Sequence, residues 1–383
     1  MRRIAKLSIA LLLLSRAAHA QSPQRLDAGW VLDYARLAPG SAPTGDGIAL
    51  TSGIASRPDL RLRDGAIEFD LAPAQGSFAG VAFRLASAAD YEILQFQPGD
   101  DGAGWTRLLY QPVFQGETTW QLYYGPGYEA AVPVRYRGGD LHVRIVVAGT
   151  RADVFLGADT APVLRVSRLQ RAAVEGGVGF WVSAGTGDAP MALRNLVVRP
   201  SAGLALAPLP EAGIDRNELI PWRLSPRMSA ASIEPPLELP AAARHDDVTW
   251  VDAEAEPSGL VNLDRQLGNP AGPQPQMVFA GAGWGIAYAR VRLVSDRAQT
   301  RRLSFSYSDG IGVYVDGRRV FAGRNDFGSR YPGYLGIVGP ESDAIDVPLK
   351  KGVTEVVLAI TDRSSGWGFR ARLDSLEGIG LAP

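Results

Sequence analysis

The sequence predicts an all-β protein made of two antiparallel β-sandwich domains joined by a linker rich in proline and alanine. Three observations lead to this prediction. Apolar residues alternate with polar ones at a period of two over many short segments, which is typical of half-buried strands. Clusters of Gly, Pro, Asp and Ser separate these segments. No segment has the apolar period of a convincing amphipathic helix.

The first series of strands begins near Gly65. In Ala66–Leu71 the side chains of Ile67, Phe69 and Leu71 point to one face of the strand, and Glu68 and Asp70 point to the other. The same alternation predicts further strands at Phe78–Leu85, Tyr91–Gln97, Leu141–Ala148, Ala152–Leu156, Val178–Ser183 and Ala192–Val198.

A second series of strands follows the stretch Pro200–Pro240, whose composition marks a linker or an extended crossing segment. Within this second series of strands, Asp316–Gly317 predicts a two-residue hairpin turn, since both central residues of such a turn need a positive φ. We therefore expect a signal peptide at 1–20, a first domain at 21–205, a linker at 206–216 and a second domain at 217–383.

The N-terminus has the order of a secretory signal. A basic start at Arg2 and Arg3 precedes a short apolar run, and Ala18-His19-Ala20 forms a small-residue cleavage site. The run is shorter than the ~20 residues of a spanning helix. We expect an exported protein, periplasmic or secreted, without membrane insertion. The chain has no cysteine, so disulfides and a lipoprotein anchor are excluded.

The charge of the chain excludes some partners. A net charge of −1 provides no basic surface for nucleic acid. After the signal only His142 and His245 remain, so a three-histidine zinc site is excluded. The sequence makes no prediction of the oligomeric state.

The strand patterns of the first domain also carry a family resemblance. The segments Gly65–Leu71, Phe78–Arg84 with Tyr91-Glu92, Leu141–Ile145 leading into Ala152–Leu156, and Gly177–Trp181 resemble the concanavalin A-like, laminin-G-like jelly rolls of lectins, family 16 glycoside hydrolases and 3-keto-disaccharide hydrolase domains. The second domain, through Phe305–Gly317 and Gly366–Phe369, resembles galactose-binding-like jelly rolls. The resemblance implies two jelly rolls, with carbohydrate as the partner of the first and an accessory role for the second.

The strands of the first domain offer polar groups for a sugar. Carboxylates, amides and guanidinium groups pair with vicinal hydroxyls, which both donate and accept hydrogen bonds. The candidate binding residues on the strands are Glu68, Asp70, Arg84, Glu92, Gln95, His142 and Arg144. Alternation predicts that Glu68, Asp70, Arg84, His142 and Arg144 lie on faces away from the core. The alternative is that Glu68 and Asp70 form an exposed face balanced by arginines of neighbouring strands.

The segment Asp100–Tyr128 is unusually aromatic. Rings of this kind stack on the apolar C–H faces of sugars. The candidates are Trp105, Trp120, Tyr124 and Tyr128; we expect Trp105 and Tyr128 in loops and Trp120 in a strand over Thr118–Tyr124. The alternative is that half of these rings belong to the core.

The sequence lacks one of the two glutamates that the family 16 catalytic pattern requires. Family 16 enzymes place two carboxylates on one strand, and Glu68-Phe69-Asp70 begins that pattern, but Ala72 and Pro73 stand where the second Glu would be. We assign no catalytic residue and no required cofactor. Asp100-Asp101-Gly102 and the group Asp309, Asp316, Asn325 and Asp326 are compatible with structural Ca²⁺ and equally with turns.

Three hypotheses remain. The first is an exported carbohydrate-binding protein whose first jelly roll holds the glycan. The second is a glycoside or 3-keto-disaccharide hydrolase that uses carboxylates of the first domain. The third is a protein-interaction module of the envelope. A buried carboxylate with a raised pKa in a cleft favours the enzyme, whereas a shallow aromatic groove favours the binding protein.

Overall fold

The fold is known from a computed structural model. It describes residues 23–72, 78–98, 105–133, 140–183, 189–209, 216–244, 249–268, 284–363 and 366–382. In this part of the chain the two helices are only 4 and 5 residues long, and every pairing of strands is antiparallel. The predicted all-β fold class is confirmed. The predicted signal peptide lies outside the described residues. Among the residues that are described, no helix is long and apolar enough to cross a membrane.

The described residues of the first sandwich form fifteen strands. They are β1 (Gln24–Arg25), β2 (Val31–Leu32), β3 (Arg36–Leu37), β4 (Ile48–Leu62), β5 (Gly65–Ala72), β6 (Phe78–Ser87), β7 (Asp90–Pro98), β8 (Trp105–Phe114), β9 (Glu117–Thr118), β10 (Glu129–Pro133), β11 (Leu141–Ala148), β12 (Arg151–Leu156), β13 (Leu164–Val166), β14 (Gly176–Ser183) and β15 (Met191–Pro200).

Strand β4 belongs to both sheets of this sandwich. Its first residues pair with β15, and from Gly53 onward it pairs with β14. Gly53 has φ +84, and a Cβ there would overlap the carbonyl oxygen of Tyr34, so only glycine fits where the strand changes sheets. One sheet has the order β10-β8-β7-β6-β14-β4, and the other has the order β4-β15-β5-β11-β12-β13.

The core lies between these two sheets. Ile67, Phe69 and Leu71 of β5 are fully buried there, whereas Glu68 and Asp70 are half-buried on the opposite face, as alternation predicts. The sheet that contains β7 and β14 is covered on both faces. On its outer face the buried side chains of Tyr91, Ile93, Val113 and Trp181 form a second apolar cluster with Ile54 and Ala82.

In the second sandwich, the part of the chain that the structure describes forms twelve strands and two short helices. They are β16 (Pro221–Leu224), β17 (Met228–Ser229), α1 (Ala241–Arg244), β18 (Val251–Glu254), β19 (Leu260–Asn262), α2 (Leu263–Leu267), β20 (Gly285–Ser295), β21 (Gln299–Ser308), β22 (Gly310–Val315), β23 (Arg318–Arg324), β24 (Asp343–Leu349), β25 (Gly352–Asp362), β26 (Gly368–Leu373) and β27 (Ile379–Ala382).

Its two sheets enclose a separate core. One sheet has the order β18-β16-β20-β25-β22-β23, with β17 and β27 also paired to β20, and the other has the order β19-β26-β21-β24. Asp316 and Gly317 join β22 to β23 with φ values of 47° and 81°, so the hairpin turn predicted from this pair is confirmed.

The later half of the proline-rich stretch covers the outer face of the larger sheet. Arg319 donates to the carbonyl oxygen of Pro235 at 3.0 Å, Tyr314 donates to that of Pro236, and Thr361 donates to that of Ile233. This stretch therefore contributes packing to the second sandwich in addition to connecting the two sandwiches.

Candidate functional site

The predicted residues on the outer face of β5 and β11 pair with one another. Asp70 accepts hydrogen bonds from Asn195 at 2.6 Å and from Nδ1 of His142 at 2.8 Å. Burial raises the pKa of Asp70, but these two bonds outweigh it and hold the pKa below its usual value. Glu68 pairs with Arg199 of β15. The face is therefore an ion-paired strand surface, in which an arginine of a neighbouring strand balances Glu68.

Arg144 lies on the same face without joining these pairs. Its guanidinium group lies 4.0 Å from the ring centroid of Phe155 on the neighbouring strand β12. Such a cation–π contact packs the arginine against the sheet.

The expected position of Arg84 on an exposed face is wrong. Arg84 has φ +48, which interrupts the alternation of β6, and its side chain is buried. The guanidinium group donates to the carbonyl oxygens of Arg63 at 2.8 Å and Gly149 at 2.6 Å and to Asp64 at 3.1 Å. Burial lowers the pKa of Arg84. Arg84 therefore ties together three chain segments and does not face solvent.

Glu92 and Gln95 of β7 are also buried. Glu92 accepts from the hydroxyl of Tyr110 at 2.6 Å and from the backbone N–H of Arg171 at 2.9 Å, and its burial raises its pKa. Gln95 accepts from Gln111 of β8, and both side chains are buried. Neither side chain is open to a glycan, because both faces of this sheet are covered.

The predicted aromatic residues of the segment Asp100–Tyr128 have different surroundings. The expectation that Trp105 lies in a loop is wrong, because Trp105 is the first residue of β8 and pairs with Pro133 of β10. Its side chain and Asp100-Asp101-Gly102 lie outside the described residues. The expected loop ring Tyr128 is packed instead: it stacks on Tyr110 at 5.9 Å and contacts Tyr123 edge-on at 5.5 Å. Tyr124 is half-buried beneath the guanidinium group of Arg107, 5.9 Å from its ring centroid.

Residues 119–124, which we call the docking loop, lie between the two sandwiches. The expected strand Thr118–Tyr124 is wrong, because the strand ends at Thr118 and the chain then turns. Gln121 donates to the carbonyl oxygen of Leu335 at 3.0 Å and accepts from the hydroxyl of Ser308 at 3.1 Å. Its own carbonyl oxygen accepts from the backbone N–H of Val338 at 2.9 Å. This loop of the first sandwich is thus hydrogen-bonded into the second.

A buried tyrosine strengthens the same interface. The hydroxyl of Tyr123 donates to Glu256 at 2.6 Å and accepts from Asn262 at 3.1 Å. Arg265 pairs with Glu256 at 3.2 Å and also donates to the carbonyl oxygen of Gln170 in the first sandwich. Leu122, Tyr123, Leu260 and Val338 form an apolar cluster around these bonds. The interface therefore fixes the two sandwiches relative to each other.

A cleft of about 410 Å³ opens where the docking loop meets the second sandwich. Its walls come from both sandwiches. It is lined by Trp120, Gln121, Trp284, Asp309, Arg324, Asp326, Phe327 and Arg363. The volume lies within the range of ligand sites, roughly 300–1,000 Å³. Of the residues predicted for binding, this cleft contains Trp120.

Two carboxylates of the cleft have different surroundings. Asp309 is 6% exposed, and burial raises its pKa to about 6, with the nearby charge of Asp326 adding to the effect. Asp326 forms a two-point ion pair with Arg324, at 3.1 Å and 2.8 Å. The cleft thus contains one aspartate that holds a proton to nearly neutral pH and one that is ion-paired.

Further acidic groups lie within electrostatic range of Asp309. Burial raises the pKa of Asp362 well above its usual value, and the charges of Asp309 and Asp264 raise it further. Burial raises the pKa of Asp264 as well, and the charge of Glu117 from the first sandwich raises it further. Oδ1 of Asp362 is buried and has no hydrogen-bond partner. Burial and mutual repulsion therefore favour the protonated form of these carboxyl groups over the charged form.

The oxygen atoms expected for calcium have other partners in the described residues. Asp316 pairs with Lys350 at 2.7 Å, and Asn325 donates to the carbonyl oxygen of Tyr307 at 2.7 Å. Within the described ranges no three His, Asp or Glu side chains are grouped so that they could hold a metal ion. Structural Ca²⁺ stays a prediction.

The sequence matches no protein-family model and no curated protein. Among solved structures, a carbohydrate-binding module, CBM66 from Bacillus subtilis, is 16% identical with a TM-score of 0.29, over 44% of this chain and 93% of that chain. A β-glucanase from Bacillus licheniformis is 12% identical with a TM-score of 0.30, over 40% of this chain and 78% of that chain. A Crh5 transglycosylase in complex with NAG is 12% identical with a TM-score of 0.29, over 46% of this chain and 81% of that chain.

The resemblance to 3-keto-disaccharide hydrolases and to galactose-binding-like modules therefore stays a prediction. Sequence reasoning missed the part of the cleft that the second sandwich supplies. Asp309 and Asp326 were noticed only as oxygen donors for calcium, and Trp284 and Arg363 carry no local signal, because they approach Trp120 only when the sandwiches dock.

Proposed function

We propose that the chain is an exported carbohydrate-binding protein whose site is the cleft between its two sandwiches. The observation that carries this proposal is the pairing of two tryptophans, Trp120 and Trp284, with charged hydrogen-bonding groups in one cleft. Sugars present an apolar C–H face that stacks on an indole ring and hydroxyl groups that need donors and acceptors at its edge. Arg363 and Asp326 supply both kinds of group.

This proposal moves the predicted site from the first domain to the interface. Trp120 and Gln121 come from the docking loop, and the other lining residues come from the second sandwich. The guanidinium group of Arg363 lies over the ring of Trp284, 5.8 Å from the ring centroid, so the stacking ring and a charged donor are adjacent. A sugar ring held on Trp284 would therefore have a hydrogen-bond donor beside it.

A glycan array on residues 21–383, followed by calorimetric titration of the best-binding glycan, tests this function. Trp284→Ala and Trp120→Ala should each weaken binding at least tenfold, which corresponds to about 1.4 kcal/mol. Tyr124→Ala is the matched control, since this half-buried ring does not line the cleft. Equal loss of affinity in all three variants, or a loss in Tyr124→Ala alone, would contradict a site in the cleft.

Hydrolysis of a glycosidic bond is the second candidate, and the raised pKa of Asp309 favours it. Enzymes that cleave such bonds use one protonated and one ionised carboxyl group. The Asp309 carboxyl group would donate its proton to the leaving oxygen as the bond from that oxygen to the anomeric carbon breaks. Water would add to the anomeric carbon and give a proton to Asp326.

Product analysis after incubation with the array's best-binding glycan separates the two candidates. If the chain is a hydrolase, Asp309→Asn should abolish product formation while binding remains. Turnover should also fall as the pH rises through about 6, because the proton that Asp309 must donate is then lost. A glycan that binds and is recovered intact leaves binding as the function.

A further inference from the structure

The loop that follows β23 begins in the cleft and leaves it. Asp326 and Phe327 line the cleft, residues 328–334 then cross the surface, and the chain returns to the docking loop at Leu335 and Val338 before β24 begins at Asp343. The loop carries two more aromatic residues, Tyr331 and Tyr334, whose ring centroids are 5.1 Å apart at 65°. We call Phe327, Tyr331 and Tyr334 the aromatic shelf.

Hydrogen bonds fold this loop back on itself. The backbone N–H of Gly328 donates to the carbonyl oxygen of Tyr334 at 2.8 Å, and that of Tyr334 donates to the carbonyl oxygen of Tyr331 at 3.0 Å. The hydroxyl of Tyr334 also donates to the side chain of Asn325, which is itself buried. These bonds place the three rings on one short structured loop beside the cleft.

The rings are unusually open to solvent. Phe327 is 52% exposed and Tyr331 is 60% exposed. Among the large apolar side chains of the described residues that are strongly exposed, these two are the aromatic ones, and the others are aliphatic. An exposed aromatic patch that continues from a ligand cleft is typical of a binding surface.

We propose that the aromatic shelf is a second sugar subsite, so that the ligand is a glycan chain of several units that leaves the cleft across Tyr331. This inference rests on the proposed function. The cleft, at about 410 Å³, is near the lower end of ligand sites, so a longer chain must extend beyond it. Phe327 belongs to both surfaces and makes the path continuous.

A second copy of the chain fits this patch less well. Each aromatic side chain buries roughly 150–250 Å² at most, and about half of the area of Phe327 and Tyr331 is already covered. The shelf is therefore well below the roughly 800 Å² per partner of a standard interface. Arg330, which pairs with Asp343 at its edge, adds charge to the surface that a sugar hydroxyl can use.

Titration of the whole chain with cello-, laminari-, xylo- and manno-oligosaccharides of two and six units tests the shelf. For the series that binds, the hexasaccharide should bind about tenfold more tightly than the disaccharide. Tyr331→Ala should remove most of this gain and leave disaccharide binding unchanged, while Tyr331→Phe, which keeps the ring, should retain it. Val353→Ala, which truncates an exposed apolar side chain at the end of β25 opposite Arg363, is the control.

The outcomes separate this proposal from the proposed function. If Trp284→Ala loses both ligands but Tyr331→Ala behaves like the unmodified chain, the cleft binds sugar and the shelf is refuted. Equal affinity for two and six units refutes it as well. If no oligosaccharide binds, both proposals fail. A change in sedimentation coefficient on Tyr331→Ala, with unchanged binding, would assign the patch to self-association instead.

Discussion

Removal of one hydroxyl group from the interface should loosen the docking of the two sandwiches. Tyr123→Phe keeps the ring and its edge-on contact with Tyr128, but it deletes the bond to Glu256 at 2.6 Å and the bond from Asn262 at 3.1 Å. A hydrogen bond to a charged group contributes about 1.5–3 kcal/mol, and a neutral one contributes about 1 kcal/mol. Both partners stay buried, so the expected loss is about 2–4 kcal/mol.

Scanning calorimetry measures this loss. For a chain of 383 residues that unfolds as one unit, the melting temperature should fall by roughly 2–5 °C. Tyr331→Phe is the matched control, because its hydroxyl is on an exposed ring, and it should change stability by less than about 0.5 kcal/mol. A double-mutant cycle of Tyr123→Phe with Glu256→Gln should give a coupling energy of about 1–2 kcal/mol.

The result that refutes the reasoning is specific. If Tyr123→Phe melts within 1 °C of the unmodified chain, or if the two substitutions are additive, the hydroxyl does not hold the interface. In that case the apolar cluster around Leu122 and the hydrogen bonds of Gln121 and Arg265 would account for the docking.

Three other predictions follow from the fold. Gly53→Ala should destabilise the first sandwich by at least about 2 kcal/mol in urea unfolding, since φ is +84 and a Cβ would lie 2.6 Å from Cα of Ala35. An unchanged urea midpoint would show that β4 can change sheets without glycine. Burial raises the pKa of Asp309 from 3.8 to about 6, so the folded chain holds this proton more tightly than the unfolded chain does. The free energy of unfolding should therefore fall by on the order of 2–3 kcal/mol as the pH rises from about 4 to about 6. Asp309→Asn should lack this component of the pH dependence. Residues 21–209 and 216–383, expressed separately, should each fold around a core of their own but bind no glycan, since the cleft has walls from both; glycan binding by either half alone would place the site elsewhere.

Parts of the candidate site were within reach of the sequence. The clustering of aromatic residues before Tyr128 pointed to a special segment, and Trp120 does line the cleft. The expectation for Arg84 failed because one residue with positive φ reverses the side to which a strand residue points, and alternation assumes that no such residue occurs. Gln95 is buried because its sheet is covered on both faces, and a strand pattern specifies a face but not what packs on it.

The sequence by itself determined the fold class and the absence of disulfides. Its period of two places Ile67, Phe69 and Leu71 in a core, and this local pattern needs no knowledge of distant residues. Only the tertiary structure decided where a ligand site lies. Trp120 belongs to one sandwich and Trp284 and Asp309 belong to the other, so docking alone brings them into one cleft. Tertiary packing also decided the chemistry there, because the pKa of Asp309 rises through burial and the charge of Asp326, and both depend on neighbours in space rather than in sequence.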